Sequence, residues 1–442
     1  MNFETIVGIE IHVEMKTKSK MFSLAPIKFG LTPNTEVVPM DMAFPGTMPR
    51  VNKEAVRNAI RVSHALHMSI DQEIWFDRKN YFYSDLPKGY QITQQARPIG
   101  SEGYLEIEMD GKKKKIAIER LHMEEDTCMQ HHFSDYTLVD YNRAGVPLIE
   151  IVSKPDIRSG EEARKYVEKI REIVTFSNVS DGKMENGSLR CDVNVSIRPY
   201  GSDKFGTKVE VKNLNSIANV EKAIDFETKR QSELLLLGKE VEQETRRFDE
   251  AKKETVLMRK KTDAADYKYF TEPNIPPITL SDEFIKNAID TCPELYDQKI
   301  ERFERDYALN DVDTKIILSS KEFSQYYDEA AKFTKLYQPL ANFMISEVNG
   351  YLNKENKTIN EFDVKPEFIS ELVELLQSKK INSKQGKDIF AKLVKENKSP
   401  LILQKEMGAT LINDEAEIIK LIEEVLVQNP TLRDDFKAGK TR

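Results

Sequence analysis

Val7-Gly8-Ile9-Glu10-Ile11-His12-Val13-Glu14-Met15 has the alternation of a β-strand whose two faces differ in polarity. Alternate side chains of a strand point to opposite faces, so Val, Ile and Met share one face here, and Glu10, His12 and Glu14 share the other. The stretches 189–197 and 207–212 alternate in the same way. This pattern is typical of an antiparallel sheet with a single packed face, and it predicts such a sheet for the first part of the chain.

The polar faces of these strands carry an unusual set of residues. Asp192 and Asn194 occupy mid-strand positions that Asp and Asn rarely favour. Carboxylates on neighbouring strands would repel one another, and a divalent cation would remove that conflict. Oxygen ligands with one imidazole suit Mg²⁺ or Mn²⁺ better than Zn²⁺. The candidate metal ligands are Glu10, His12, Asp192 and Glu210.

A fourth strand, residues 116–124, ends in Glu124-Glu125-Asp126. Alternation places Glu124 on the face of His122 and Arg120, and Glu125 on the other face unless a bulge intervenes. Both glutamates stay metal candidates at this stage. For any one strand, an ordinary solvated face is the alternative interpretation.

Several well-known phosphate and hydrolase motifs are absent from the sequence. It contains no GxxxxGK[ST], GxGxxG, HExxH or GxSxG. If ATP binds, it therefore binds on a sheet face with metal ions, in a site similar to that of glutamine synthetase. The stretch 78–90 places Lys79, Lys88 and four aromatic residues around a Gly/Pro turn, which could meet phosphates and stack on bases, although a turn with core aromatics is the simpler interpretation.

The composition is that of a water-soluble protein of two or three domains, with 442 residues, 39% hydrophobic and 32% charged. The net charge of −8 excludes nucleic-acid binding by bulk charge, which leaves local patches such as 112–115 and 259–261, or a partner chain. Cys128, Cys191 and Cys292 are far apart and predict neither a disulfide framework nor a cysteine zinc site. No apolar run suits a membrane span and the N-terminus lacks a signal-peptide pattern, so we expect a cytoplasmic protein.

The character of the sequence changes near residue 293. Fourteen of the 18 glycines, 13 of the 18 prolines and all six histidines come earlier. The later part has helical spacing of apolar residues, with segments beginning at Pro366 and after Ser383 and a third over 414–425. We therefore expect a cradle-like strand-rich domain over 1–292, a helical domain over 293–407 and a partial tail domain over 408–442.

The ordered motifs of the chain closely resemble those of the B subunits of heterotrimeric aspartyl/glutamyl-tRNA amidotransferases. They cover nearly the whole length and are Val7 to Val13, Arg78 to Ile92, Asp140 to Val152, Gly187 to Ser196, Val209 to Ser216, Gln243 to Arg246 and Asp266 to Phe270. The resemblance implies an α+β fold, with an antiparallel cradle domain carrying a glutamine synthetase-like site, then an all-α domain and a helical tail domain. It also implies ATP- and Mg²⁺-dependent phosphorylation of the side-chain carboxylate of Glu-tRNA(Gln) or Asp-tRNA(Asn), with ammonia supplied by an amidase subunit.

The resemblance further implies a small third subunit and tRNA bound by the helical and tail domains. For this mechanism we assign Glu10, His12, Glu125, Asp192 and Arg190 to catalysis, and the metal set is Glu10, His12, Glu124, Glu125, Asp192 and Glu210. The ATP or phosphate ligands would be Lys79, Lys88, Ser188, Arg190, Lys208 and Lys212.

Two features depart from the family. Many members hold zinc with four cysteines in the region of residues 21–46, where this sequence has none, so we expect no zinc. The sequence also stops at Arg442, where the family's tail domain continues. Two other functions remain as alternatives, a non-catalytic tRNA-binding scaffold and a free-standing ligase of the glutamine synthetase type.

Overall fold

The computed structural model describes residues 2–28, 30, 32–260 and 266–408, with 419, 422–424 and 427–428. The chain divides into two compact units, an N-terminal unit, Met1–Leu295, and a C-terminal unit, Tyr296–Arg442. The architecture is α+β, with a large mixed sheet and many helices.

The strands of the N-terminal unit are β1 (Phe3–Glu14), β2 (Ser69–Ile70), β3 (Glu73–Ile74), β4 (Asp77–Asn80), β5 (Tyr90–Thr93), β6 (Gly100–Met109), β7 (Lys112–Glu125), β8 (Met129–His132), β9 (Thr137–Asp140), β10 (Pro147–Ser153), β11 (Leu189–Pro199), β12 (Val209–Lys212), β13 (Glu244–Asp249), β14 (Glu254–Lys260), β15 (Phe270–Thr271) and β16 (Ile278–Thr279). Nine of them form one sheet in the order β14-β13-β12-β11-β1-β10-β7-β6-β2. The three smaller sheets are β15-β4-β5, β16-β3 and β8-β9.

The large sheet is antiparallel except between β12 and β13, which run parallel. The prediction of an antiparallel sheet is therefore wrong for this pair, because a helix crosses over between the two strands and a crossover connection returns the chain in the same direction. The predicted strands exist with shifted ends. The strand predicted at 207–212 begins at Val209, and the one predicted at 116–124 extends from Lys112 to Glu125.

Among its described residues, the N-terminal unit also has four helices: α1 (Lys53–Ala65), α2 (Gly160–Phe176), α3 (Ile217–Leu236) and α4 (Asp282–Asp290). Each begins after a polar residue whose side chain accepts a backbone N–H of the first turn, namely Asn52, Ser159, Ser216 and Ser281. Apolar residues of α1, α2 and α3 form one buried core with the apolar face of the sheet. The polar side chains of β1 and its neighbouring strands lie on the opposite face, where they can form a functional site.

In residues 296–408, the continuously described part of the C-terminal unit, the helices are α5 (Tyr296–Tyr307), α6 (Asp311–Ile317), α7 (Lys321–Ala330), α8 (Tyr337–Phe343), α9 (Asn349–Glu355), α10 (Pro366–Gln377), α11 (Ser383–Glu396) and α12 (Pro400–Glu406). A π-helical turn, Met344–Val348, joins α8 to α9, and a 3₁₀ turn spans Ile359–Glu361. The helices predicted to begin at Pro366 and after Ser383 are confirmed, although the second begins one residue earlier, at Ser383 itself, with Asn382 as its N-cap. The helix predicted over 414–425 lies largely outside the described residues. Within the described part of the chain, no helix has the length and apolarity needed to cross a bilayer.

Candidate active site

The register of three adjacent strands brings an imidazole and two carboxylates together on the polar face of the sheet. His12 on β1 lies opposite Glu150 on β10, and Glu124 comes from β7 on the far side of β10. His12 Nε2 lies 3.7 Å from Glu124 Oε1 and 3.6 Å from Glu150 Oε2. One ligand atom from each residue falls within 4.8 Å of the other two. We call His12, Glu124 and Glu150 the three-ligand group.

A second histidine balances the charge of these carboxylates. His122 Nε2 lies 3.0 Å from Glu150 Oε2 and 3.6 Å from Glu124 Oε2. Burial alone would lower the pKa of His122, but the two carboxylates outweigh burial and raise the pKa to about 9. Burial would raise the pKa of Glu150, but His122 and His12 hold it well below its usual range. The three-ligand group is thus anionic, partly neutralised by imidazolium, and chemically suited to Mg²⁺ or Mn²⁺.

Two other predicted metal ligands, Asp192 and Glu210, lie on the same face but are paired with a lysine. Glu10 lies opposite Asp192, and Asn194 lies opposite Glu210. Lys212 Nζ contacts Asp192 Oδ2 at 2.5 Å and Glu210 Oε1 at 3.2 Å. The charge conflict predicted from the sequence is therefore relieved between these two carboxylates by a lysine, which had been predicted to bind phosphate.

Glu10 lies between these two clusters. Its Oε1 accepts a hydrogen bond from Asn194 Nδ2 at 3.0 Å. Burial, with the charges of Glu150 and Asp192, raises the pKa of Glu10. Among the residues that the structure describes, the cluster with metal-ligand spacing does not include Glu10, Asp192 or Glu210.

Glu124 and Glu125 point to different environments. Glu124 faces His12 and accepts a hydrogen bond from Thr93 Oγ1 at 3.2 Å. Glu125 instead accepts the backbone N–H of Ile92 at 2.9 Å and pairs with Lys88 Nζ at 2.7 Å. Alternation along β7 therefore separates the two glutamates, and of the pair it is Glu124 that joins the three-ligand group.

The predicted phosphate ligands differ in how firmly they are held. Arg190 Nη2 donates to the buried Asp126 Oδ2 at 2.7 Å, and Lys88 and Lys212 are paired as described above. Ser188 is buried, and its carbonyl accepts the backbone N–H of Glu14 at 2.9 Å. Lys208 is exposed and precedes β12. Lys79, on β4, is half-buried beside two tyrosine rings.

The sequence prediction missed Glu150 and His122 as members of the site. Glu150 is the one charged residue of Pro147–Ser153, within a motif that had already been recognised. His122 precedes Glu124 by two positions and so shares its face. The available signal was strand alternation, but only the strand order shows that β10 lies between β1 and β7.

The region that holds zinc in many family members has a different construction here. Asp41 accepts hydrogen bonds from Lys20 Nζ at 3.2 Å and from the backbone N–H of Val38 at 3.0 Å, and Lys20 is fully buried. The sequence from 21 to 46 offers no thiol, so these residues do not fit a cysteine zinc site.

Comparison with known proteins agrees with the motifs. Residues 5–286 match the GatB/GatE catalytic domain, and residues 325–442 match the GatB domain. The aspartyl/glutamyl-tRNA(Asn/Gln) amidotransferase B subunit of Mesoplasma florum is 50% identical over all of this chain and 92% of its own length. The B subunits of the same enzyme from Oceanobacillus iheyensis and Geobacillus kaustophilus are each 46% identical over all of this chain and 93% of their own lengths. The chain therefore belongs to the family of the aspartyl/glutamyl-tRNA(Asn/Gln) amidotransferase B subunits.

Proposed function

We propose that the chain is the carboxylate-activating subunit of a tRNA-dependent amidotransferase. Its substrate would be Glu-tRNA(Gln), Asp-tRNA(Asn) or both, and its nitrogen donor would be ammonia released by an amidase subunit. The observation that supports this best is the three-ligand group on the polar face, which lies inside the segment matching the GatB/GatE catalytic domain.

The reaction needs activation because a carboxylate has no good leaving group. Transfer of the γ-phosphoryl group of ATP breaks its bond to the ADP oxygen and forms an acyl phosphate on the side-chain carboxylate. Ammonia then attacks the carbonyl carbon, the bond to the phosphate oxygen breaks, and inorganic phosphate leaves with the amide formed. Phosphoryl transfer depends mainly on positioning and charge neutralisation, which suits a charged sheet face without a nucleophile.

His12, Glu124 and Glu150 are the residues that would hold the metal. When bound, Mg²⁺ would supply neutralisation of the phosphate oxygens. His122 holds Glu150 in place from the far side of the group, and Thr93 does the same for Glu124. Lys79 would donate to a phosphate oxygen, while Arg190, anchored on Asp126, would supply a fixed positive charge beside His12.

The remaining assignments follow from the family. The partners would be the amidase subunit and a small third subunit, and residues 293–407 and 408–442 would contact the tRNA body. The reaction would take place in the cytoplasm.

The decisive experiment uses the chain with its partner subunits, Mg-ATP, ammonium chloride and glutamyl-tRNA, and follows ATP hydrolysis and amide formation together. Ammonium bypasses the amidase, so the assay reports the step proposed here. Glu150→Gln should lower both rates by about 10²–10³-fold, the cost of removing a preorganised charge. Glu106→Gln on β6 is a matched control, since Glu106 pairs with Lys113 and Lys115 away from the site and should keep wild-type rates. If charged tRNA binds but Glu150→Gln changes neither rate, the chain is a scaffold and the chemistry lies elsewhere.

A further inference from the structure

The ammonium group of Lys79 is held differently from the cationic groups of Lys88, Arg190 and Lys212. Lys88, Arg190 and Lys212 each have a carboxylate partner within 2.7 Å. Among the residues that the structure describes, none offers Lys79 Nζ an acceptor at hydrogen-bond or ion-pair distance. Since no carboxylate or carbonyl oxygen of the described residues occupies them, its three N–H groups are available to an anionic ligand.

Two aromatic rings take the place of a counter-ion. Lys79 Nζ lies 4.9 Å from the centre of the Tyr267 ring and 5.8 Å from that of Tyr81, both within the range of a cation–π contact. The two rings meet edge to face, with centres 5.8 Å apart, and Tyr269 packs against Tyr267 in the same manner at 5.9 Å. An aromatic ring attracts the ammonium group of Lys79 but leaves its N–H donors unoccupied, whereas a carboxylate would accept hydrogen bonds from them.

The backbone fixes the Tyr267 ring relative to Lys79. The carbonyl of Tyr267 accepts the backbone N–H of Asn80 at 2.9 Å, and Asn80 Nδ2 donates to the Lys268 carbonyl at 2.8 Å. The following residues pair with β4, where Phe270 lies opposite Arg78. Arg78 in turn forms two hydrogen bonds to the buried Glu272, at 2.6 and 3.0 Å.

This arrangement also ties Lys79 to the three-ligand group. Lys79 on β4 lies opposite Gln91 on β5, and β5 contacts Glu124 through Thr93. Burial would lower the pKa of Lys79, but the charges of Glu124 and Glu150 outweigh burial and raise it. The ammonium is therefore charged and within the field of two members of the group.

We propose that Tyr267 is a positioning residue that holds the ammonium of Lys79 beside the three-ligand group, with its donors directed to an oxygen of the phosphoryl group that ATP transfers. The proposal rests on the function proposed above and adds a specific role for the segment 266–272. Tyr267 acts through Lys79, so its hydroxyl is dispensable and its ring is required.

The test is a double-mutant cycle in the complete complex, with ammonium as nitrogen donor and kcat and KM for ATP as readouts. Tyr267→Phe keeps the ring and should stay within about twofold of wild type. Tyr267→Leu should lower kcat/KM for ATP by about 3- to 30-fold, the range of a cation–π contact. In a Lys79→Ala background, Tyr267→Leu should cause no further loss, because its only route to the substrate is gone.

Folding is monitored by circular dichroism, and Tyr136→Leu is the matched control. Tyr136 is an exposed tyrosine that stacks on Phe133 in the β8–β9 hairpin, and its loss should leave kcat/KM unchanged. If the losses from Tyr267→Leu and Lys79→Ala multiply, or if Lys79→Ala is fully active, the positioning role is wrong while the proposed function stands. If the wild-type complex forms no amide from ammonium, the proposed function itself fails.

Discussion

Cys128 and Cys191 are buried in the N-terminal unit, whereas Cys292 is half-buried. Burial and the charge of Asp85 raise the pKa of the Cys128 thiol to about 11, and burial raises that of Cys191 above its usual value. Because the thiolate is the reactive form, an alkylating reagent at pH 8 should label Cys292 alone in the folded chain and all three thiols in denaturant. Mass spectrometry of the labelled peptides measures this. Labelling of Cys128 in the folded chain at the rate of Cys292 would contradict the packing described here.

At the scale of single residues, alternation predicted which side chains share a face but not what each would contact. It placed His12, Glu10 and Asp192 on one face, as the structure does. It could not show that Lys212 would reach across to Asp192, because a long flexible side chain spans a neighbouring strand. Nor could it identify Glu150, whose importance depends on β10 lying between β1 and β7, two strands that are far apart in sequence.

At the scale of elements, the sequence predicted the strands that have one apolar face, but it did not predict β13. Residues 244–249 read Glu-Thr-Arg-Arg-Phe-Asp, which has no apolar alternation, because the strand is held by a polar network. Arg246 Nε of β13 donates to Thr255 Oγ1 of β14 at 2.8 Å, and Thr255 Oγ1 in turn donates to the fully buried Glu227 of α3 at 2.9 Å. The parallel pairing of β12 with β13 follows from α3 crossing between them, so it needed knowledge of both strands and the helix together.

A partly buried ion-pair network between α5 and α7 gives a stability prediction for the C-terminal unit. Asp328 of α7 accepts hydrogen bonds from Lys299 at 2.7 Å, Arg302 at 2.8 Å and the Tyr307 hydroxyl at 2.9 Å. Asp328→Asn removes the carboxylate charge that the buried Lys299 and the half-buried Arg302 both face. Asp328→Asn should therefore lower the free energy of unfolding by about 1–3 kcal/mol at pH 7, measured by urea denaturation.

The Asp328 carboxylate also determines how the free energy of unfolding should change with pH. Burial would raise the pKa of Asp328, but Arg302 and Lys299 outweigh burial and hold it below its ordinary value of 3.8. A depressed folded-state pKa adds stability that is present above the unfolded pKa and is lost as the pH falls through the folded one. The difference in the free energy of unfolding between wild type and Asp328→Asn should therefore be constant from about pH 5 to 8 and shrink below about pH 4.

The control is Asp311→Asn, which removes an exposed pair with Lys315 and should change the free energy of unfolding little at any pH. A difference that grows on acidification would refute this account.

At the scale of the whole molecule, neither of the two candidate basic patches stands out as an RNA-binding surface in the part of the chain that the structure describes. In the patch 112–115, Lys113 lies 3.5 Å from Glu106 and Lys114 lies 2.7 Å from Glu162. Lys260 of the second patch pairs with Glu242, and Lys261 lies outside the described residues. Sequence composition had predicted that bulk charge could not bind nucleic acid, and local pairing now weakens the two candidate patches as well, so the proposed tRNA contacts depend on other surfaces.

Assigning the end of the chain to tRNA binding leads to a kinetic prediction. Contacts to the tRNA body are the same in the ground and transition states, so removing them should raise KM for charged tRNA without lowering kcat. We expect deletion of residues 409–442 in the complete complex to raise KM for glutamyl-tRNA about tenfold or more and to leave KM for ATP unchanged. The binding constant for tRNA should also depend less on salt. The slope of its logarithm against the logarithm of the salt concentration should fall by about one unit for each phosphate that the shortened chain no longer neutralises. The double variant Lys113→Ala/Lys115→Ala should behave like wild type, because these lysines are already paired with Glu106. A fall in kcat with KM unchanged would instead mean that the last residues contribute to the chemical step. The proposal that they serve tRNA binding would then be wrong.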